Sequence, residues 1–332
     1  MKARSMFAAG AAAVLLAAPA AAQGRIDERR ATPATGTVQV HNLAGSVRVV
    51  GWDRNEVHVT GTLGRGAERV EVQNEGGRLV VRVVNPPSQR GNRRRVEVQG
   101  TDLEVRVPDR KRVDVHTVSA EVEVRRVEGE VEAHSVSGGV AVTGSPRAVR
   151  AQSRSGEVRV DARTGSVRAS SVSGEVSVAG TVGGRVEAQS VSGGVSVTAA
   201  SQGVKVESVS GTVEVSSAAG RAEVQTVSGD IALTGRRLEG ALRSVSGSVV
   251  LRGDVGRGGV EIESHSGDVE LQLARSTSAT VEMTTFSGGL ENDFAGARIT
   301  RASRREYRVV LGGGDARVRV TTFSGDVKLS GR

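Results

Sequence analysis

One short phrase, Ser-Val-Ser-Gly-x-Val-x-Val, returns about once every eighteen residues between Thr117 and Thr285, and it leaves few folds open. It stands at Ser135-Val136-Ser137-Gly138, Ser153-Arg154-Ser155-Gly156, Ser171-Val172-Ser173-Gly174, Ser190-Val191-Ser192-Gly193, Ser208-Val209-Ser210-Gly211, Thr226-Val227-Ser228-Gly229 and Ser244-Val245-Ser246-Gly247. It loosens into Ser264-His265-Ser266-Gly267 and Thr285-Phe286-Ser287-Gly288, with a last copy at Thr322-Phe323-Ser324-Gly325. Self-similarity at a short fixed period is the mark of a solenoid, in which each unit buries its apolar face only by stacking on a neighbour.

The columns within the repeat fix the element type. Two positions after the phrase glycine, or after Ala120 in its slot, stand Val122, Val140, Val158, Val176, Val195, Val213, Ile231, Val249, Val269 and Leu290. A second aliphatic column follows at Val124, Val142, Val160, Val178, Val197, Val215, Leu233, Leu251 and Leu271, with polar or small residues between the two. Alternation with period two and rich in β-branched residues is a strand pattern with one buried face, and it excludes helix. Weaker copies midway, such as Gly165-Ser166-Val167-Arg168-Ala169, put a second strand in each coil. The sequence therefore predicts an all-β chain, a parallel β-solenoid of about eighteen residues per coil. Coils stacked at about 4.8 Å give a rod on the order of 50 Å long. Gly138, Gly156, Gly174, Gly193, Gly211, Gly229, Gly247 and Gly267 are its structural repeat residues, needed for sharp turns or close backbone approach. The two serine columns read as turn chemistry bonded along the stack; the sharper alternative is a hydroxyl array that meets a repetitive ligand such as a polysaccharide.

The remaining segments divide around the repeat. Lys2 and Arg4, an apolar run through Val14-Leu15-Leu16, and Ala20-Ala21-Ala22 have the order of a secretory leader over 1–22, too short and alanine-rich for a membrane span. A flexible start is expected over 23–36, an irregular N-terminal β cap with the first coils over 37–116, regular repeats over 117–288, and a C-terminal hairpin with the final coil over 289–332. Trp52 reads as a core residue of the N-terminal cap, and Glu306–Leu311 with Ala316–Val320 as the C-terminal hairpin. Asn292 breaks the inward aliphatic column. The chain has no cysteine, which removes disulfides and thiolate chemistry, and no lipid attachment is expected after the leader. The expected location is the periplasm, the cell surface or the extracellular space.

The Gly51-Trp52-Asp53 turn, the strand Leu103-Glu104-Val105-Arg106-Val107-Pro108 and the ladder of phrases together resemble the secreted bacterial putative-adhesin family, domains of unknown function related to head-domain adhesins. The resemblance covers most of residues 37 to 329. It implies a β-solenoid with a surface or envelope role, and it brings no catalytic residues.

Nothing in the sequence converges on an active site. Glu157, Glu175, Asp230, Asp268 and Asp326 follow phrase glycines, but Gly194, Thr212 and Ser248 interrupt them and no coil is singled out. His116 and His134 lie one period apart without a third ligand in sequence, so they read as an exposed polar column and no metal or cofactor is assigned. Ser264, His265 and Asp268 have the residue types of a triad, yet neighbouring strand residues face opposite ways, and His265 reads as a replacement for the usual valine. The formal charge of +8 comes mostly from arginine, concentrated at Arg93, Arg94, Arg95 and at Arg301, Arg304, Arg305, the candidate contacts for a polyanion. With 2% aromatic residues the chain lacks the stacking platforms of single-strand readers, so nucleic acid is not the expected partner. The reading is a non-enzymatic exported protein with an adhesin-like interaction or scaffold role. Its alternatives are a polysaccharide-active β-helix enzyme, or a binder of anionic polysaccharide or another envelope component. The sequence assigns no oligomeric state.

Overall fold

The computed structural model describes residues 24–85 and 99–332. The leader at 1–22 and the arginines Arg93, Arg94 and Arg95 lie outside the described residues. The described chain is all β, and its strands form one 24-stranded sheet wound on itself, mostly in parallel register. Among the described residues no helix is long and apolar enough to cross a membrane.

Each central rung has two strands joined by the phrase. In one layer Val140, Val158, Val176, Val195, Val213, Ile231, Val249 and Val269 stand in register, eighteen to twenty residues apart. In the other, Ala133, Ala151, Ala169, Ala188, Val206, Val224, Leu242 and Ile262 do the same. Both columns are buried, so two apolar faces close on each other as the alternation demands. The core changes composition along the rod. Alanines fill the second column through the middle, whereas the largest fully buried side chains, Leu79 apart, run from Ile231 onward: Leu233, Leu242, Leu251, Ile262, Leu271, Met283 and Leu329 among them.

At both ends, order in space departs from order in sequence. Strand Thr37–Trp52 lies between Arg112–Arg125 on one side and Arg78–Val84 with Thr101–Pro108 on the other, so a later segment forms the outermost rung. At the far end Ala316–Ser324 enters between Val249–Ser266 and Ala279–Ser287, and Val327–Gly331 between Val269–Leu273 and Leu290–Asp293. The last phrase in sequence is thus the penultimate rung in space. Antiparallel strands close both ends: Glu56–Thr62 and Arg69–Glu75 over the first rung, Glu306–Leu311 and Arg298–Arg301 over the last. The outermost of these carry charges, Arg69 and Glu71 at one end and Arg298 and Arg301 at the other, which discourage further strand addition.

Three expectations change. Residues 25–31 are not a flexible start but a strand antiparallel to Glu56–Thr62. Glu306–Leu311 and Ala316–Ser324 do not pair as a hairpin; they flank Ala279–Ser287 on opposite sides, and the antiparallel closing pair is instead Arg298–Arg301 with Glu306–Leu311. Trp52 is half-buried, not core: its indole donates to the Glu56 carbonyl at 2.9 Å, and the guanidinium groups of Arg54 and Arg106 lie 5.3 and 6.0 Å from its ring. Asn292 pairs in register with Leu329, and its side chain accepts from the Phe294 amide at 3.4 Å while the Phe294 ring covers the end of the core.

Val176 is fully buried between Val158 and Val195, and Ser177 points outward between Arg159 and Ser196. Val176→Asp is therefore expected to cost several kcal/mol and to abolish the cooperative thermal transition, because a carboxylate there meets only aliphatic neighbours. Ser177→Asp, beside Arg159, should melt within a few degrees of the parent by circular dichroism.

Candidate functional site

The phrase occupies one edge of the rod, and its residues alternate between structural and exposed roles. The first hydroxyl of each phrase is buried: Ser135, Ser153, Ser171, Ser190, Ser208 and Thr226. Each accepts a hydrogen bond from the amide of the phrase glycine three residues on, at 2.9 to 3.1 Å. Ser153, Ser171 and Ser190 also donate to the glycine carbonyl of the preceding rung, at 3.0, 3.0 and 3.3 Å. One hydroxyl thus closes its own turn and ties it to the next. The glycine follows from close approach: a Cβ on Gly193 would lie 2.1 Å from the Gly174 carbonyl oxygen.

Toward the C-terminal end the turn changes. Gly247, Gly267 and Gly325 adopt φ of 142°, 147° and 145°, and their amides donate at 3.1 Å to the carbonyls of Ser266, Ser324 and Ser287 on the neighbouring rung. The Ser244 and Thr322 hydroxyls are left without a partner.

The middle residue of each phrase points out. Leu43, Val118, Val136, Val172, Val191, Val209, Val227, Val245, Phe323 and Phe286 are 42–54% exposed, with Arg154 and His265 in the same column. Their carbonyls carry the ladder through the turn, accepting from the second serine of the next phrase, as Val172 does from Ser192 and Val209 from Ser228 at 2.9 and 2.8 Å. The result is a single-file apolar ridge along the rod, bordered by the exposed second serines Ser137, Ser155, Ser173, Ser210 and Ser228. It ends in an aromatic stack: His265 on Phe323 at 5.0 Å, Phe323 on Phe286 at 4.8 Å, and the Arg305 guanidinium over Phe286 at 4.0 Å. Reading the phrase as a turn motif does not reveal this ridge; the signal available was an apolar residue held between two hydroxyls in copy after copy.

The other candidates fall as follows. Arg301, Arg304 and Arg305 come together in the loop that closes the C-terminal end; Arg301 donates to the carbonyls of Ser303 and Arg304 and covers the Tyr307 ring, and Arg304 is exposed. The acidic column caps turns: Asp230 accepts from the Ser248 amide at 2.8 Å, Asp268 from Asp326 at 2.9 Å and Asp326 from Gly289 at 2.7 Å. Ser264 is buried and donates to the Gly267 carbonyl, while His265 is exposed, so the two form no relay. His116 and His134 stack at 5.1 Å, and a third ring, His41, stacks on His116 at 5.3 Å, brought there by the pairing of Thr37–Trp52 with Arg112–Arg125. Burial, reinforced by the neighbouring His116, holds the His41 imidazole below its ordinary pKa. The hydrogen bond from His134, helped by Arg112, holds the Glu132 carboxyl below the usual range against the opposing effect of burial.

A flattened winding of parallel rungs, locked at a hydroxyl–glycine edge and closed by antiparallel strands, defines a repeat protein of the β-solenoid class. The chain belongs to the Toastrack DUF4097 family, whose model matches residues 34–219 and again residues 165–330. This agrees with the putative-adhesin resemblance carried by the Trp52 turn and the phrases. No curated protein matches the chain. Among solved structures it is similar to a candidate cell adhesion protein from Clostridium sporogenes (9% identity, 93% of this chain and 100% of that one, TM-score 0.21). It is also similar to a candidate adhesin from Bacteroides fragilis (10%, 92% and 97%, TM-score 0.37) and a candidate lipid binding protein from Parabacteroides distasonis (12%, 92% and 96%, TM-score 0.40).

The two serine columns should respond differently to truncation. Ser190→Ala strands the buried Gly193 amide and is expected to cost about 1–3 kcal/mol. Ser192→Ala removes an exposed hydroxyl and should change stability by less than about 0.5 kcal/mol, both read by chemical denaturation.

Proposed function

We propose that this chain is an exported, non-enzymatic interaction module of the cell envelope, and that its working surface is the phrase edge, along which an anionic polysaccharide lies. The observation that carries this reading is the ridge from Leu43 to Phe286. Soluble proteins seldom keep apolar side chains in one continuous patch unless something covers it. Single-file valines bordered by serine hydroxyls suit a polymer that alternates C–H faces with hydroxyl groups, and the rungs from Val172 to Val245 offer the same contact in turn. Export is supported by the leader at 1–22 and by the absence of cysteine.

Charge supports an anionic ligand that is held at the ends. Arg304 and Arg305 stand where the ridge finishes. In sequence, Arg93, Arg94 and Arg95 fall between the strands Arg78–Val84 and Thr101–Pro108 of the outermost rung. Along the ridge itself Arg154 is exposed in the same column, a further contact for an acidic group, while Glu157 is paired with Arg159.

Retention of the purified protein on acidic exopolysaccharide or lipopolysaccharide tests this. Val191→Ser with Val209→Ser, and separately Arg304→Ser with Arg305→Ser, should each weaken retention at least several-fold without lowering the melting temperature. Rising salt should weaken the parent but act less on the arginine variant. Unchanged retention in both variants contradicts the proposed surface, and shortening of the polymer contradicts the non-enzymatic reading.

A further inference from the structure

Three stacked histidines lie away from the phrase edge. His41, His116 and His134 stand in register on three adjacent strands, projecting from the outer face of the sheet. Two positions before His116 and His134, on the same face, stand Asp114 and Glu132. Glu132 is engaged: it pairs with Arg112 at 2.6 Å, with His134 at 3.0 Å and with Arg150 at 3.9 Å. Asp114 is less so: its Oδ1 lies 2.8 Å from His116 Nε2 and its Oδ2 accepts only a long bond from Gln39 at 3.4 Å, and among the described residues no arginine pairs with it.

We propose that His41, His116, His134 and Asp114 form a binding site for a divalent transition cation of the Zn2+ type. Three imidazoles and one carboxylate are a donor set that such an ion takes readily, and one that Mg2+ and Ca2+ do not. The stacked rings do not yet surround a common point, and among the described residues no group of three such ligands stands at coordinating distance. Ring centroids are 5.1 and 5.3 Å apart, whereas ligand nitrogens about 2.0–2.1 Å from one tetrahedral ion must approach more closely than that. The approach requires the imidazole side chains to reorient. It is open to His116 and His134 because their side chains are 40% and 29% exposed on the sheet's outer face. Of the groups around the site, Arg112 and Arg150 are held by Glu132, and Arg82 flanks His41 in register. Asp114 is therefore the carboxylate left to neutralise the ion.

The site is independent of the polymer reading, since it lies on a strand face and not on the ridge. Chelator-stripped protein titrated with ZnCl2 by calorimetry should bind one ion per chain saturably, and CoCl2 should give the visible absorption of a tetrahedral complex. His116→Gln and Asp114→Asn should each weaken binding at least tenfold, while His265→Gln, at the other end of the rod, should leave it unchanged. The melting temperature in chelator should be the same for the parent, His116→Gln and His265→Gln, and only the parent and His265→Gln should gain stability from Zn2+. Absence of saturable one-to-one binding, or parent-like affinity in both His116→Gln and Asp114→Asn, overturns the proposal.

Discussion

The structure depends on how closely the backbone of one phrase approaches the backbone of the next. At each central turn the glycine lies against the carbonyl of the preceding glycine with no room for a side chain, and the buried first hydroxyl bonds the glycine amide from inside. A slip of one residue would place a side chain in that contact and turn the valine columns outward, so turn and core enforce the same register. A repeat without disulfides needs this agreement, because each rung is held by its neighbours alone.

The same constraint produces the exposed surface. With the first hydroxyl inside and the glycine against the neighbouring rung, the residue between the two hydroxyls has only solvent to face, and its carbonyl is committed to the next rung. An apolar side chain there adds nothing to the core. Its recurrence from Val118 to Val245, and its enlargement to Phe323 and Phe286 at the end, is what separates this edge from the charged outer faces. On those faces Arg168 pairs with Glu187 and Arg243 with Glu263 across rungs, exposed pairs that favour register but add little stability each.

Much of the fold was legible because parallel stacking turns sequence period into spatial column. Val158, Val176 and Val195 could be placed on one another by counting, and so could the phrase glycines and the buried serines. Counting fails where the chain leaves sequence order. Thr285 and Thr322 begin phrases of the same kind, and nothing in their residues shows that the later one lies inside the earlier. His41 is 75 residues from the histidine it stacks on, because the segment that forms the outermost rung intervenes. The turn-capping role of Asp230, Asp268 and Asp326 was hidden for another reason: a carboxylate after a glycine looks the same whether it faces solvent or the next rung's amide. The exposure of the middle residue was decided by the turn geometry, which the alternation of the flanking strands does not specify.

Amide hydrogen exchange at the phrase glycines tests the central claim most directly. Gly138, Gly156, Gly174, Gly193, Gly211 and Gly229 lie in turns at the edge of the rod, yet each donates to an inward-facing hydroxyl. If that bond locks the rungs, their amides should exchange as slowly as those of Val178 and Val197 within the strands. Exchange as fast as at Gly76 and Gly77, in the open turn of the N-terminal cap, would show that the phrase is a passive connection and that the aliphatic columns alone set the register.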